Sequence, residues 1–294
     1  MDFLDLIRLT ALMERTSGIP EVKIGLIDGP VVFNHPDLAG EYLREISGNH
    51  GAMCSEANSA ACLHGTFVAG ILSAKRNSPA PAICPDCTLL IRPIFEETST
   101  RSKQMPSATP QELATAIIEC IEADARVINL SLALTLPTSK GEQALEAALD
   151  YAVKRGVIVV AAAGNQGTLG SSVLTRHPWV ISVVACDLHG QPINESNLGH
   201  SIGRRGLSAP GESITSLGSG GQYLTFGGTS VAVPFVTGAI ALLWSEFPAA
   251  TAAQIKLAFT QATTQRRTSV APPLLDAEAA YHSLLPAHAR RRKA

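Results

Sequence analysis

The sequence predicts an α/β fold with a doubly wound, mainly parallel sheet and helices on both of its faces. Three observations support this prediction: short apolar runs recur along the 294 residues, helical patterns lie between them, and only 16% of the residues are charged. Apolar runs without alternation are typical of parallel strands that helices cover on both sides. Strands and helices that alternate along a chain imply right-handed crossover connections.

The elements can be assigned in chain order. Residues 2–17 predict one amphipathic helix, because Leu6, Ile7, Leu9 and Met13 share a side. Five strands follow, each rich in β-branched residues and bounded by glycine, proline or polar residues. They are Val22–Ile27, Thr88–Ile91, Val127–Leu130, Val157–Ala161 and Val180–Val184.

Two further helices are predicted from apolar residues at spacings of three and four. The first contains Leu113, Ala116, Ile117, Cys120 and Ile121, and the second contains Leu145, Ala148, Leu149, Ala152 and Val153. The stretch 96–110 is rich in serine, threonine and proline and predicts a surface loop.

The chain shows no internal repeat and no dividing linker, which predicts a single domain over residues 1–286. Residues 287–294 are expected to form a solvated basic tail, since four of the last five residues are Arg or Lys. The hydrophobic content of 46% excludes a largely disordered chain, and the net charge of −2 offers no general field for nucleic acid or an acidic membrane.

The N-terminus has early acids and no basic region before an apolar run, so no secretory signal is predicted. The most apolar stretch, Val231–Trp244, is shorter than the ~20 residues that cross a bilayer. We therefore expect a soluble cytoplasmic protein without a membrane or nucleic-acid partner.

Three short segments place reactive side chains at strand ends or helix starts. Asp28 ends an apolar strand and is followed by glycine, His64 opens a small-residue helix, and Ser230 follows two glycines at the start of an apolar helix. Alone, each residue is explained as a loop cap, an ordinary polar residue or a helix cap. Together, in the order Asp, His, Ser, they match one of the chain orders of the serine triad.

These segments resemble the subtilases, the subtilisin-like serine proteases of the S8 family. The resemblance runs from about Val22 to Tyr281 and depends on Leu26-Ile27-Asp28-Gly29, His64-Gly65-Thr66 and Gly228-Thr229-Ser230-Val231-Ala232-Val233-Pro234. The last segment has valines where the family usually has Met and Ser or Thr. The resemblance implies a subtilisin-like fold with Asp28, His64 and Ser230 as the triad.

A fourth segment, Ala161-Ala162-Ala163-Gly164-Asn165, resembles the one whose asparagine donates a hydrogen bond to the oxyanion. This resemblance implies that role for Asn165, and a neutral amide donor beside a helix-start nucleophile suits a tetrahedral intermediate. The chemistry requires no cofactor.

In subtilases an extended peptide or protein substrate pairs as an additional strand with the segment that matches Asn129–Leu134. The substrate-binding residues implied here are Ser131, Leu132, Ala133, Leu134, Ala163 and Gly164. The family commonly has two glycines where Ala133 and Leu134 stand. Leu134 therefore either narrows a subsite or packs outward.

Within the family, the compact N-terminus and the stretches Leu26–Val31 and Cys87–Phe95 resemble the leader-peptide proteases of cyanobactin maturation. One branch of that group cleaves a leader from a core peptide, and another closes a macrocycle under an inserted helical cap. Thirty-six positions separate Asp28 from His64, which leaves no room for such a cap. Hydrolysis is thus expected over ring closure. A macrocyclase and a catalytically silent peptide-binding module remain as alternatives.

Four cysteines are paired closely in sequence. Cys54 and Cys62 flank a loop that ends just before His64, while Cys84 and Cys87 precede the second predicted strand. These four thiols can form one or two local disulfides, hold zinc or remain free, and a reducing cytosol disfavours disulfides. The other two, Cys120 and Cys186, are expected in the core.

A calcium site is a further expectation from the resemblance. Subtilases often bind calcium through residues that match Asp37 and Asn77, and Pro79 and Pro81 offer carbonyl oxygens nearby.

Overall fold

A parallel sheet of seven strands forms the centre of the protein. The computed structural model describes residues 2–38, 40–46, 48, 51, 53–95, 97, 108–132, 141–261 and 270–291, the last range with side chains to 285. The strands are β1 (Lys23–Asp28), β2 (Leu43–Glu45), β3 (Thr88–Pro93), β4 (Val127–Leu130), β5 (Ile158–Ala162), β6 (Ile181–Cys186) and β7 (Leu207–Pro210). Their order is β2-β3-β1-β4-β5-β6-β7, and every neighbouring pair is parallel.

Helices cover both faces of the sheet, which confirms the predicted fold class. They are α1 (Phe3–Leu6), α2 (Thr10–Arg15), α3 (Ala60–Ser73), α4 (Pro110–Glu122), α5 (Glu142–Arg155), α6 (Val173–Arg176), α7 (His200–Arg205), α8 (Thr229–Glu246), α9 (Ala252–Gln261) and α10 (Ala277–Arg291). One apolar core contains buried residues of α3, α8 and α9, and a second contains those of α4 and α5. The two cores lie on opposite faces because strand residues alternate between them.

The five predicted strands are present with shifts of at most two residues at their ends. Sequence reasoning missed β2 and β7, which have only three and four residues. Two of the three residues of β2 are charged and exposed, so this edge strand has no apolar run to reveal it. The helices predicted around Leu113 and Leu145 are confirmed as α4 and α5.

The N-terminal segment forms two short helices instead of the single predicted helix. Arg8 interrupts them with a φ of 51°. Tertiary contacts explain the break: the carbonyl of Ile7 accepts a hydrogen bond from the amide of Ala277 at 3.1 Å, and Arg8 pairs with Asp276 and Glu278 at 3.5 Å each. Packing against the start of α10 therefore overrides the local helical pattern.

A short antiparallel hairpin was also not predicted. It consists of β8 (Ile214–Leu217) and β9 (Tyr223–Phe226) and lies beside α3. The ring of Phe226 packs on Phe67 of α3 at a centroid distance of 4.8 Å, and Ser216 Oγ donates to the Phe67 carbonyl at 2.8 Å. The hairpin is thereby fixed to the helix that carries His64.

Helix α8 passes through the core. Its 18 residues are long and apolar enough for a membrane span by length and composition, but 83% of this window is buried inside the protein, as in a core helix.

The last helix, α10, extends to Arg291. It therefore continues past residue 286, the predicted end of the domain before the basic tail.

Candidate active site

Three side chains from three elements meet near the carboxyl end of β1. Asp28 is the last residue of β1, His64 lies in the second turn of α3, and Ser230 lies in the first turn of α8. His64 does not open its helix as predicted, because Ser59 caps α3 earlier by accepting a hydrogen bond from the Cys62 amide at 3.1 Å. The carboxyl ends of parallel strands are where open α/β sheets place their sites.

The histidine bridges the other two side chains. Its Nδ1 lies 2.7 Å from Asp28 Oδ1, and its Nε2 lies 3.1 Å from Ser230 Oγ. Because a carboxylate can only accept, Nδ1 carries the proton and Nε2 of the neutral ring is free to accept from the serine hydroxyl. The structure thus brings together the three residues that the sequence singled out.

The environment of His64 favours its charged form. Burial lowers the pKa of the imidazole, but the charge of Asp28 and its hydrogen bond raise the pKa by more, so that the net shift is upward. Asp28 is fully buried, and its Oδ1 also accepts from the Gly29 amide at 2.7 Å. A buried carboxylate beside the ring stabilises the imidazolium that forms when serine loses its proton.

A buried chain of hydrogen bonds holds Ser230 from the sheet side. Pro234 has no amide proton to donate to the Ser230 carbonyl four residues earlier, and Ser131 Oγ donates to that oxygen instead at 2.8 Å. Asn129 Nδ2 donates to Ser131 Oγ at 2.8 Å, and Thr237 Oγ1 donates to Asn129 Oδ1 at 2.9 Å. The peptide unit of the serine is therefore fixed to β4.

The sequence analysis did not predict this series of hydrogen bonds. It assigned Ser131 to substrate binding, which stays a prediction, and it did not foresee that the Ser131 hydroxyl donates to the Ser230 carbonyl. It gave no role to Asn129 or Thr237, although both are polar residues inside apolar runs and both are fully buried. Buried polar side chains are nearly always hydrogen-bonded, and this was the available signal.

Asn165 lies beside the first turn of α8 with its amide orientation fixed. The Thr229 amide and hydroxyl both donate to Asn165 Oδ1 at 2.9 Å. A backbone N–H can only donate, so the atom facing it is the oxygen and Nδ2 points away from Thr229. Gly228 has a φ of 118°, and a Cβ there would lie 3.0 Å from Nδ2. The absence of a side chain at Gly228 thus leaves space for the Asn165 Nδ2 donor at the start of α8.

The remaining predicted substrate residues follow neighbouring strands. Ser131 and Leu132 come directly after β4, and Ala163 and Gly164 come directly after β5, which pairs with β4. The two segments therefore leave the same edge of the sheet next to each other. Ala133 and Leu134 lie outside the described residues.

One of the two predicted cysteine pairs forms a disulfide. Cys54 and Cys62 are bonded, with Cα atoms 5.6 Å apart, and tie a surface loop to the first turn of α3. The same loop is held by the carboxylate of Glu97, which accepts from the amides of Ser55 and Glu56 at 2.8 and 3.0 Å. The loop before His64 is thus fixed by a covalent bond and by a carboxylate.

The other predicted pair does not form a disulfide. Cys84 and Cys87 are free, buried thiols at the ends of a turn in which the Cys87 amide donates to the Cys84 carbonyl at 3.0 Å. Burial raises the pKa of Cys84, whereas a hydrogen bond from Cys84 lowers the pKa of Cys87. The disulfide also removes two of the four thiols that the zinc alternative requires. Cys120 and Cys186 are buried, as predicted.

The calcium site expected at Asp37 and Asn77 stays a prediction. The Asp37 carboxylate accepts a hydrogen bond from the Tyr223 hydroxyl, and Asn77 is exposed. The ammonium group of the exposed Lys75 donates to the carbonyl of Pro36 at 2.5 Å.

The chain is similar to a known protein family, to curated proteins and to solved structures. The model of the Subtilase family (Peptidase S8) matches residues 20–279. Subtilisin E of Bacillus subtilis (strain 168) is 34% identical over 242 residues, which cover 80% of this chain and 58% of that protein. Subtilisin of Bacillus pumilus is also 34% identical over 242 residues, with coverages of 80% and 81%. The chain spans about 58% of the length of the first curated relatives that it matches.

Solved structures of peptide-maturation proteases are similar over almost the whole chain. Patellamide maturation protease PatA aligns with a TM-score of 0.76 and 31% identity, covering 91% of this chain and 98% of that chain. Prenylagaramide maturation protease PagA aligns with a TM-score of 0.82 and 28% identity, with coverages of 95% and 98%. The PatG macrocyclase domain shares the fold at a TM-score of 0.79 and only 20% identity.

Proposed function

The chain belongs to the subtilase family, and we propose that it is a serine endopeptidase that hydrolyses peptide bonds through Asp28, His64 and Ser230. The single observation that carries this proposal is the continuous contact from Asp28 Oδ1 through both nitrogens of His64 to Ser230 Oγ, at 2.7 and 3.1 Å. Nucleophile, base and orienting acid within hydrogen-bond reach are what nucleophilic catalysis requires.

The first half of the reaction forms an acyl-enzyme. Ser230 Oγ attacks the scissile carbonyl carbon while His64 Nε2 takes the hydroxyl proton, and Asp28 stabilises the resulting imidazolium. Asn165 Nδ2 and the amide of Ser230, which has no acceptor within α8, donate to the oxyanion. His64 then gives the proton to the leaving amine as the C–N bond breaks.

The second half releases the acid product. Water attacks the acyl carbon with His64 as general base, and the ester bond to Ser230 breaks as the serine oxygen recovers a proton. The described residues between Asp28 and His64 contain only β2, a single 3₁₀ turn at Gly40–Tyr42 and loops ahead of α3. Because they contain no helical cap over the site, water can reach the acyl-enzyme, which favours hydrolysis over macrocyclisation.

We propose a ribosomal precursor peptide as the natural substrate. The support is the similarity to PatA and PagA at 31% and 28% identity over nearly the full chain, together with the sequence resemblance to leader-peptide proteases. The leader would occupy the edge formed by Ser131, Leu132, Ala163 and Gly164 as an added strand.

A fluorophosphonate probe tests the proposed activity. Wild-type protein should become labelled at Ser230, as mapped by mass spectrometry of the digested protein, and Ser230→Ala should not. Thr115→Ser provides a control hydroxyl on the exposed face of α4 and should leave the labelling at Ser230 intact. Folded wild-type protein that stays unlabelled and cleaves no peptide would instead favour a silent peptide-binding module. A cyclic product from a precursor peptide would favour the macrocyclase.

A further inference from the structure

A cavity of about 430 Å³ opens beside the oxyanion amide. Its lining includes Asn165 and the glycines Gly227 and Gly228, which lead directly into the nucleophile. Apolar surface comes from Ile193 and from Phe226, the last residue of β9. The cavity is thus continuous with the reaction centre, and a substrate bound to Ser230 passes next to it.

The cavity lies on the side of the leaving group. The end of β9 forms part of its wall, and Phe226 there is fixed to the His64 helix by its ring contact with Phe67. His64 is the group that protonates the leaving amine. Of the residues proposed for the acyl side of the substrate, the four that the structure describes, Ser131, Leu132, Ala163 and Gly164, do not line the cavity. We therefore expect the segment of peptide that follows the cleaved bond to pass this cavity.

Two carboxylates from different loops line the same cavity. Glu195 and Glu212 are both exposed, and neither carboxylate has an ion pair or a hydrogen bond among the residues that the structure describes. Both loops are fixed by backbone bonds: the Glu195 carbonyl accepts from the Gly167 amide at 2.7 Å, and the Gly211 amide donates to the Cys186 carbonyl at 3.0 Å. Both acidic residues are therefore anchored at the cavity through their backbone, and no cation in the described part of the chain pairs with them.

We propose that this cavity binds the side chain of a lysine or arginine in the first residues after the cleaved bond. The apolar rings and methyl groups of Phe226 and Ile193 suit the alkyl stem of such a side chain, and Glu195 and Glu212 pair with its charged head. An acidic residue at the same place meets two like charges. The inference rests on the proposed endopeptidase function. It adds to that function a preference for positive charge in the part of the substrate that follows the cleaved bond.

Matched peptides test the charge preference. An internally quenched peptide whose cleaved bond has been mapped with the wild-type protein is prepared with Lys, Gln or Glu at the first and second positions after that bond. At low salt we expect kcat/KM to be about tenfold higher for Lys than for Glu, with Gln between them, and the ratio should fall as salt screens the pairing.

Variants assign the preference to the two carboxylates. In the double variant Glu195→Gln/Glu212→Gln the Lys-to-Glu ratio should fall below about twofold, and in Glu195→Lys/Glu212→Lys it should invert. Glu14→Gln changes an exposed acid on α2 outside the cavity and should keep the wild-type ratio. Melting temperatures verify that all variants are folded.

Two results would overturn the inference: equal kcat/KM for the three peptides in the wild type, or a Lys preference that survives the double glutamine variant. Both results still require cleavage that disappears in Ser230→Ala. If the wild-type protein cleaves no peptide at all, the proposed endopeptidase function fails, and the two failures are thereby distinguished.

Discussion

The two residues that exchange a proton in the proposed mechanism are held by different means. Ser230 is fixed from the core by a chain of neutral hydrogen bonds through Ser131 and Asn129, both of which are buried. His64 is fixed by the charge of Asp28 and by a surface loop that the Cys54–Cys62 disulfide ties down. Among the contacts that hold Ser230, here called the serine side, none involves a titrating or redox-active group. Changes of pH and reductants are therefore expected to act on the contacts that hold His64, the histidine side.

The largest effect should come from removing the charge on the histidine side. In Asp28→Asn we expect kcat to fall about 10⁴-fold, because the amide neither enforces the Nδ1–H tautomer nor stabilises the imidazolium. The acidic limb of the kcat/KM profile reports the pKa of His64, which Asp28 holds above its usual 6.5. Activity should therefore fall as the pH drops below that raised value.

For Asp28→Asn we also expect the acidic limb of the kcat/KM profile to shift in one direction. Without the carboxylate charge, burial alone acts on the ring and lowers its pKa, so the residual activity should persist to lower pH. A pH–rate profile of wild type and Asp28→Asn measures both effects. A limb that does not move would mean that another group controls the acidic side.

The second effect concerns the oxyanion donor on the serine side. Asn165→Ala should lower kcat by about 10²–10³ and leave KM nearly unchanged, since Nδ2 contacts substrate once negative charge has developed on the carbonyl oxygen. The change also removes the acceptor of the Thr229 amide, so a modest loss of stability is expected. Steady-state kinetics and a melting curve on the same variant separate the contributions. A large drop in melting temperature with unchanged kcat would contradict the assignment.

A third change tests the buried chain behind Ser230. Thr237→Val keeps the volume but leaves Asn129 Oδ1 without its donor, which should cost about 1–3 kcal/mol of stability. We expect kcat to fall less than tenfold, because Ser131 still contacts the Ser230 carbonyl. Thr115→Val on the exposed face of α4 is the matched control. If both variants melt at the same temperature, the buried chain does not carry this stability.

The smallest effect on rate is expected from reduction of the disulfide. Opening the Cys54–Cys62 bond should lower the free energy of unfolding by about 2–3 kcal/mol, while kcat changes less than twofold because Glu97 still holds the loop. Denaturant titrations with and without dithiothreitol measure this difference. The double variant Cys54→Ser/Cys62→Ser should not respond to reductant, and a response there would point to Cys84 and Cys87.

Sequence patterns were sufficient where one local rule decides the outcome. The run that became β5 is apolar throughout, and the glycines before Ser230 mark its helix start. Patterns failed where distant contacts decide. Arg8 interrupts the N-terminal helix because it pairs with Asp276 just before α10. Strand β2 forms at the edge of the sheet because it pairs with β3.

The same distinction applies to the site. The order Asp, His, Ser and the motif around Asn165 identified four residues that the fold brings together. The orientation of Ser131 depends on the Ser230 carbonyl, which is 99 positions away in sequence. Whether Cys54–Cys62 or Cys84–Cys87 would bond depends on how each loop folds, and spacing alone does not determine this.

Pro234 has a consequence for how the protein can be redesigned. A proline inside a helix is usually described by the hydrogen bond that it removes. Here the missing bond also leaves the Ser230 carbonyl free to accept from Ser131. Any other residue at 234 would add an amide that competes with Ser131 for the Ser230 carbonyl. With proline, the Ser230 carbonyl bonds to Ser131 and not to the next turn of α8, and the link back to that helix passes through Asn129 to Thr237. The turns of α8 beyond Thr237 can therefore be repacked for thermal stability without realigning the serine, whereas substitutions at Ser131, Asn129 or Thr237 would be transmitted to it directly.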